Sequence, residues 1–101
     1  MLQFDKTDEF ERWLRELRDK RATLRILTRL DSAIHGNFGD CSPVGKGVSE
    51  MRIHYGPGYR LYYTRIGDIV YLLLLGGDKS SPKRDIKRAI EIARDIGKEP
   101  R

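Results

Sequence analysis

VSEMRIHYGPGYRLYYTRIGDIVYLLLLGGD, residues 48–78, decides the fold. It holds three runs rich in Val, Ile and Tyr: Val48 to Tyr55, Tyr59 to Ile66 and Ile69 to Leu75. Such β-branched and aromatic residues suit a pleated, half-buried surface. The runs are parted only by Gly56-Pro57-Gly58 and Gly67-Asp68, connections too short for a crossover, so the three strands form an antiparallel meander. Gly76-Gly77 reads as the turn that closes the last strand, since its spacing fits neither a P-loop nor a dinucleotide-binding fingerprint.

Downstream, Ser81-Pro82 supplies an N-cap with proline at the first helical position. Ile86, Ala89, Ile90, Ala93 and Ile96 then recur at helical spacing up to Gly97. Upstream, His35 to Val48 carries four glycines and a proline and reads as a long loop. Before it, Ala22, Ile26, Leu27, Leu30, Ala33 and Ile34 mark an amphipathic helix that ends at Gly36, with Arg21, Arg25 and Arg29 along another face. Phe10, Trp13, Leu14 and Leu17 mark an earlier helix over about residues 7–18, whose acids Asp8, Glu9 and Glu11 suit the positive end of its dipole. Leu2 and Phe4 alternate with polar neighbours, so Met1 to Asp5 reads as a strand. The order β-α-α-β-β-β-α predicts one α+β domain over residues 1–101, a helical hairpin packed on an antiparallel sheet. Part of the opposite sheet face is left to a ligand.

Alternation along the strands sorts the side chains. Met51, Ile53, Leu61 and Tyr63 point toward the helices, while Glu50, Arg52, His54, Arg60, Tyr62 and Thr64 share the other face, with Lys79 just past the third strand. Cleavage of RNA through its own 2′-hydroxyl needs a base for that proton, cations for the phosphorane oxygens and help for the leaving 5′-oxygen. A planar guanidinium matches two phosphate oxygens, which makes Arg52 and Arg60 the charge stabilisers. His54 or Glu50 is the candidate base, and Tyr62 could stack on a nucleobase or steer a proton. Against this, Glu50 and Arg52 are also a plain surface pair and His54 a plain turn residue. Tyr55, Tyr59 and Tyr63 read as packing. Lys46 in the loop and Lys83, Arg84 and Lys87 on the last helix, with Arg88 beside them, extend the positive patch as candidate RNA-tracking cations.

Composition bounds the partners. Net charge is +5, and it is unevenly placed: residues 1–19 carry four bases against six acids, residues 46–88 nine against four. Acidic partners are favoured, whether RNA, DNA or protein. The longest apolar run, Ile69 to Leu75, is far too short to span a bilayer, and MLQFDKTDEFERW is too acidic for a signal peptide, so a cytoplasmic location is expected. Cys41 is the sole cysteine, which excludes an internal disulfide and a cysteine-based zinc site. No cofactor or metal is expected.

The strings Val48-SEMRIHYGPGYRLYYT-Arg65 and Val70-YLLLLGGDKSSPKRDIKRA-Ile90 resemble the HigB-like addiction-module killer proteins of the RelE/ParE superfamily. Their pattern combines a G-V-x-E-x-R-I strand, a G-P-G-Y-R turn and strand, and an L-L-x-G-G-D-K segment before a D-I-x-x-A helix. Phe10, Trp13 and Leu14, followed by the Asn37-FGDCSPVG-Lys46 loop, extend the similarity to nearly the whole chain. The resemblance implies a RelE-like fold and a type II toxin–antitoxin pair with a helix-turn-helix, HigA-like antitoxin. It also implies metal-independent cleavage of mRNA on the ribosome. By motif position it singles out Glu50, Arg52, Arg60 and Lys79. Several relatives carry a tyrosine or histidine near the C-terminus, and the tail Gly97-KEP-Arg101 has neither. The superfamily also holds ParE-like gyrase poisons, so that activity, or nucleic-acid binding without chemistry, is the alternative expectation.

Overall fold

The meander forms as the glycine punctuation requires, and the structure, a computed structural model that describes residues 1–97, extends it on both sides. Elements run β1 (Gln3–Lys6), α1 (Asp8–Glu16), α2 (Lys20–Ile34), β2 (Cys41–Gly45), β3 (Val48–Ile53), β4 (Tyr59–Arg65), β5 (Val70–Asp78) and α3 (Pro82–Gly97). The tail beyond Gly97, whose composition was compared above, lies outside the described residues. Thr7 caps α1 by accepting from Phe10 N, and Asp19 caps α2 by accepting from the amides of Arg21 and Ala22. No described helix is long and apolar enough to cross a membrane.

The α+β class holds, with three corrections to the sheet. Its five strands lie in the order β1-β5-β4-β3-β2, and it is mixed: β1 runs parallel to β5, while the other neighbours are antiparallel. The residues read as a loop also contain β2. Gly45, Lys46 and Gly47 all take positive φ (121°, 55° and 80°), which folds Cys41–Gly45 back onto β3. Pro43 is tolerated because β2 is an edge strand, where no further strand needs its missing N–H.

Gly76-Gly77 is likewise not a turn. β5 continues through it to Asp78, with Gly76 opposite Leu61 and Gly77 opposite Arg60. A Cβ on Gly76 would collide with the Trp13 ring, and one on Gly77 with the Asp85 carboxylate. The pair therefore thins the sheet on both faces at once, letting α1 and α3 approach.

Both faces are covered. Phe10, Ala22 and Ile26 from the hairpin close over Met51, Ile53, Leu61 and Tyr63. Ala89 and Ile92 of α3 close over Val48, Tyr62, Leu74 and Leu75 on the opposite side. The alternation read from sequence is correct, but the second face is open only beyond the N-terminal end of α3. There the charged residues of β3 and β4 emerge.

Candidate functional site

Strand register places Arg52 directly opposite Arg60, a like-charge pairing that is unfavourable unless an anion lies between. Glu50, two residues before Arg52 on the same face, is that anion. Its Oε1 accepts from Arg52 Nη1 at 2.6 Å and its Oε2 lies 3.6 Å from Arg60 Nη1. With only 5% of its surface exposed, Glu50 is a buried bridge rather than a base open to substrate. The plain pairing of Glu50 with Arg52 is therefore present, and it holds the two cations side by side.

Arg52 is gripped from its other side by Asp40. Its Nη2 donates to Asp40 Oδ1 at 2.7 Å and its Nε to Asp40 Oδ2 at 3.2 Å, a two-pronged contact. Ser42 Oγ accepts a further bond from Arg52 Nη1 at 2.9 Å. The same Asp40 Oδ2 lies 2.6 Å from His54 Nε2. The Arg52 guanidinium first, and His54 second, hold the Asp40 carboxyl well below the usual carboxylate range; Asp40 first and Glu50 next strengthen Arg52 as a cation. The His54 side chain is 74% exposed, and among the described residues its Nδ1 has no hydrogen-bond partner.

Asp40 is reached because Arg29 ties the chain before it to the sheet. Arg29 Nη1 donates to Arg52 O at 2.6 Å, and its Nη2 to Phe38 O at 2.8 Å and Asp40 O at 3.3 Å. Gly39 sits at φ +68° with Arg29 Nη2 where a Cβ would need space, so this approach requires glycine. Arg52 N donates to Asp40 O at 2.9 Å, which continues the β2–β3 pairing one step beyond β2.

Arg52, His54, Gly58, Tyr59, Arg60 and Lys79 line one small cleft of about 60 Å³. Lys79 N donates to Gly58 O at 3.0 Å, and its side-chain stem runs along Gly58. The cleft has room for a few atoms, not for a nucleobase. Arg60, whose one ion pair among the described residues is the loose contact with Glu50, has more unused donors than Arg52, the other guanidinium of the cleft. An exposed imidazole oriented by a carboxylate, beside two arginines and a lysine, can move a proton next to a group carrying negative charge.

Of the residues singled out from sequence, Arg52, His54, Arg60 and Lys79 come together here, with Glu50 beneath them. Tyr62 does not join them at the surface. It is completely buried under α3, among the described residues its hydroxyl has no hydrogen-bond partner, and burial first, then the nearby Glu50 and Asp85 charges, raise its pKa. In this arrangement it cannot stack on a base. Lys46 stands in the β2–β3 turn, at the other end of β3, roughly 20 Å away by strand rise. Lys83, Arg84 and Lys87 are exposed along α3 from the site end outward, whereas Arg88 is bound to Glu9 by bonds of 2.7 and 3.2 Å. Among the described residues, no cluster of His, Cys, Asp and Glu could hold a metal ion.

Sequence reasoning missed Asp40, Arg29, Ser42 and Asp85. The last lies in the first turn of α3 against Gly77, with Ser81 Oγ donating to its Oδ2 at 3.1 Å. An acid within a glycine-rich loop and an arginine next to a helix's apolar stripe were the available signals for Asp40 and Arg29.

No protein-family model matches the chain. Comparison with curated proteins finds an uncharacterized protein of Haemophilus influenzae (strain ATCC 51907 / DSM 11121 / KW20 / Rd) that is 40% identical over 96 residues. The match covers 95% of this chain and 97% of the relative, so it takes in the strands, the glycine-rich segment and the helices together. At that identity over nearly both full lengths, the chain belongs to the same family as this Haemophilus influenzae protein.

Proposed function

We propose that this protein is the toxin of a type II toxin–antitoxin pair, a HigB-like, RelE-fold endoribonuclease that cleaves mRNA on the ribosome in the cytoplasm. The observation that carries the reading is the Asp40-oriented His54 sharing one cleft with Arg52, Arg60 and Lys79. The motif resemblance points to the same strands. In the proposed reaction, the free Nδ1 of His54 accepts the 2′-hydroxyl proton as the 2′-oxygen attacks phosphorus. Arg60 and Lys79 neutralise the phosphorane oxygens, and the Lys79 ammonium supplies a proton to the departing 5′-oxygen. The products are a 2′,3′-cyclic phosphate and a free 5′-hydroxyl. Arg52 acts through position, holding Asp40 and so His54. No cofactor or metal enters this scheme. The partner is a helix-turn-helix, HigA-like antitoxin whose acidic residues neutralise Arg60 and Lys79.

The test is primer extension on a defined mRNA in a purified translation system, with and without ribosomes. Wild type cuts only with ribosomes, and Arg60→Ala loses about 10²–10³ in rate, the scale for removing one donor to a developing oxyanion. Full cleavage by Arg60→Ala defeats the proposal. So does toxicity that needs gyrase while translation continues.

A further inference from the structure

His54 lines two concavities. One is the Arg60–Lys79 cleft; the other is a groove of about 850 Å³ between α2 and the end of β3, lined by Arg21, Leu24, Arg25, Thr28, His54 and Tyr55. We infer that this groove is a binding track for single-stranded RNA, continuous with the cleft across His54. The inference rests on the nuclease reading for what the strand is doing at His54.

Three observations select a polynucleotide. Arg21 and Arg25 lie one helical turn apart, about 6 Å along the α2 axis, both exposed and neither in an ion pair among the described residues. They are positioned to follow a backbone that carries one charge per nucleotide. The Arg25 guanidinium lies over the Tyr55 ring, 5.0 Å from its centroid, a planar cation–aromatic pair of the kind on which bases stack regardless of sequence. That ring is held in place: Tyr55 Oη donates to Asp19 Oδ2 at 3.0 Å, while Asp19 Oδ1 accepts from the first amides of α2. Asp19, beside the groove, is thus committed to the helix terminus and to Tyr55, and Asp40, at its His54 end, to Arg52 and His54. The cleft at Arg60 is too small for a base, so a strand whose phosphate sits there must lay its neighbouring nucleotides elsewhere. The groove is the adjoining space of nucleotide size.

The experiment measures binding of an uncleavable, fully 2′-O-methylated single strand of about 12 nucleotides across a salt series, a length suited to a groove of this kind. Against wild type, Arg21→Gln/Arg25→Gln reduces affinity at least tenfold and makes the slope of log K against log salt shallower by about 1.4, the value for two lost single-strand phosphate contacts. Tyr55→Leu weakens binding by about tenfold with the slope unchanged. Arg12→Gln/Arg15→Gln on α1 removes the same charge and leaves both quantities as in wild type. Wild type that fails to bind, equal losses in the α1 variant, or unchanged affinity and slope in the α2 variant each overturn the inference. So does an α2 variant that keeps RNA but loses a polyglutamate peptide, because the groove would then receive an acidic protein segment. The nuclease reading fails separately: wild type that leaves unmodified mRNA intact on ribosomes, while the α2 variant loses the methylated strand, defeats the chemistry and supports the track.

Discussion

On the side of β3 and β4 that meets α1 and α2, Met51, Ile53, Leu61 and Tyr63 close against Phe10, Ala22 and Ile26. One residue along each strand, the side toward α3 carries Glu50, Arg52 and Arg60 around a buried Tyr62. The first side is held chiefly by burial, which is non-directional and resists added volume once filled. The second is held by matched pairs, which are directional and have an end. At that end the pairing runs out, leaving His54 with a free nitrogen and Arg60 with a single loose partner. The chemistry proposed for this domain therefore lies where an electrostatic chain meets solvent.

The two adjacent glycines of β5 separate the faces most sharply. Gly76→Ala drives a methyl group into the Trp13 ring, fixed between Phe10 and Tyr59, and costs about 3 kcal/mol in urea denaturation. Gly77→Ala meets only the Asp85 side chain, its carboxylate first, which can swing away, and costs about 1 kcal/mol. Equal costs would mean that α3 is seated as rigidly as the hairpin. Between these values falls Glu50→Gln, which keeps the shape of the bridge but leaves Arg52 facing Arg60 without the anion between them. About 2 kcal/mol is expected, since hydrogen bonds to charged groups are lost in a buried place. No change in the denaturation midpoint would show that Asp40 alone suffices to settle the arginines.

The difference between the faces was legible before the structure, because strand alternation is local: Met51 and Ile53 against Glu50 and Arg52, Leu61 and Tyr63 against Arg60 and Tyr62. What was not legible depends on distant pairing. Cys41–Gly45 has the glycine and proline density of a loop, and only its place at the sheet edge makes it a strand. Without that strand nothing brings residue 40 beside residue 52, so the carboxylate that orients His54 was invisible. The parallel placement of β1 beside β5 is equally remote from any local pattern. Tyr62 was assigned to the correct face, yet its burial depends on how far α3 reaches across that face, which periodicity does not report.

The smallest effects concern two acids that tie elements together, and pH distinguishes them. Asp40 titrates far below its ordinary 3.8 because of Arg52 and His54, and Glu9 below its ordinary 4.5 chiefly because Arg88 donates to it. A carboxyl with a depressed native pKa contributes stability that is fully present above its unfolded value and is lost as pH falls through the native one. Urea midpoints of wild type should therefore fall as pH drops below about 4, and Asp40→Asn should flatten that fall, because it lowers the midpoint near neutrality and converges with wild type in acid. Glu9→Gln removes a half-exposed link between α1 and α3, formed by residues that do not line the cleft. It should cost about 0.5 kcal/mol near neutrality, the ordinary value of a surface pair, and should leave mRNA cleavage as in wild type. Cleavage lost in Glu9→Gln with the fold intact would mean that the seat of α3, rather than the ion chain beneath it, governs the site.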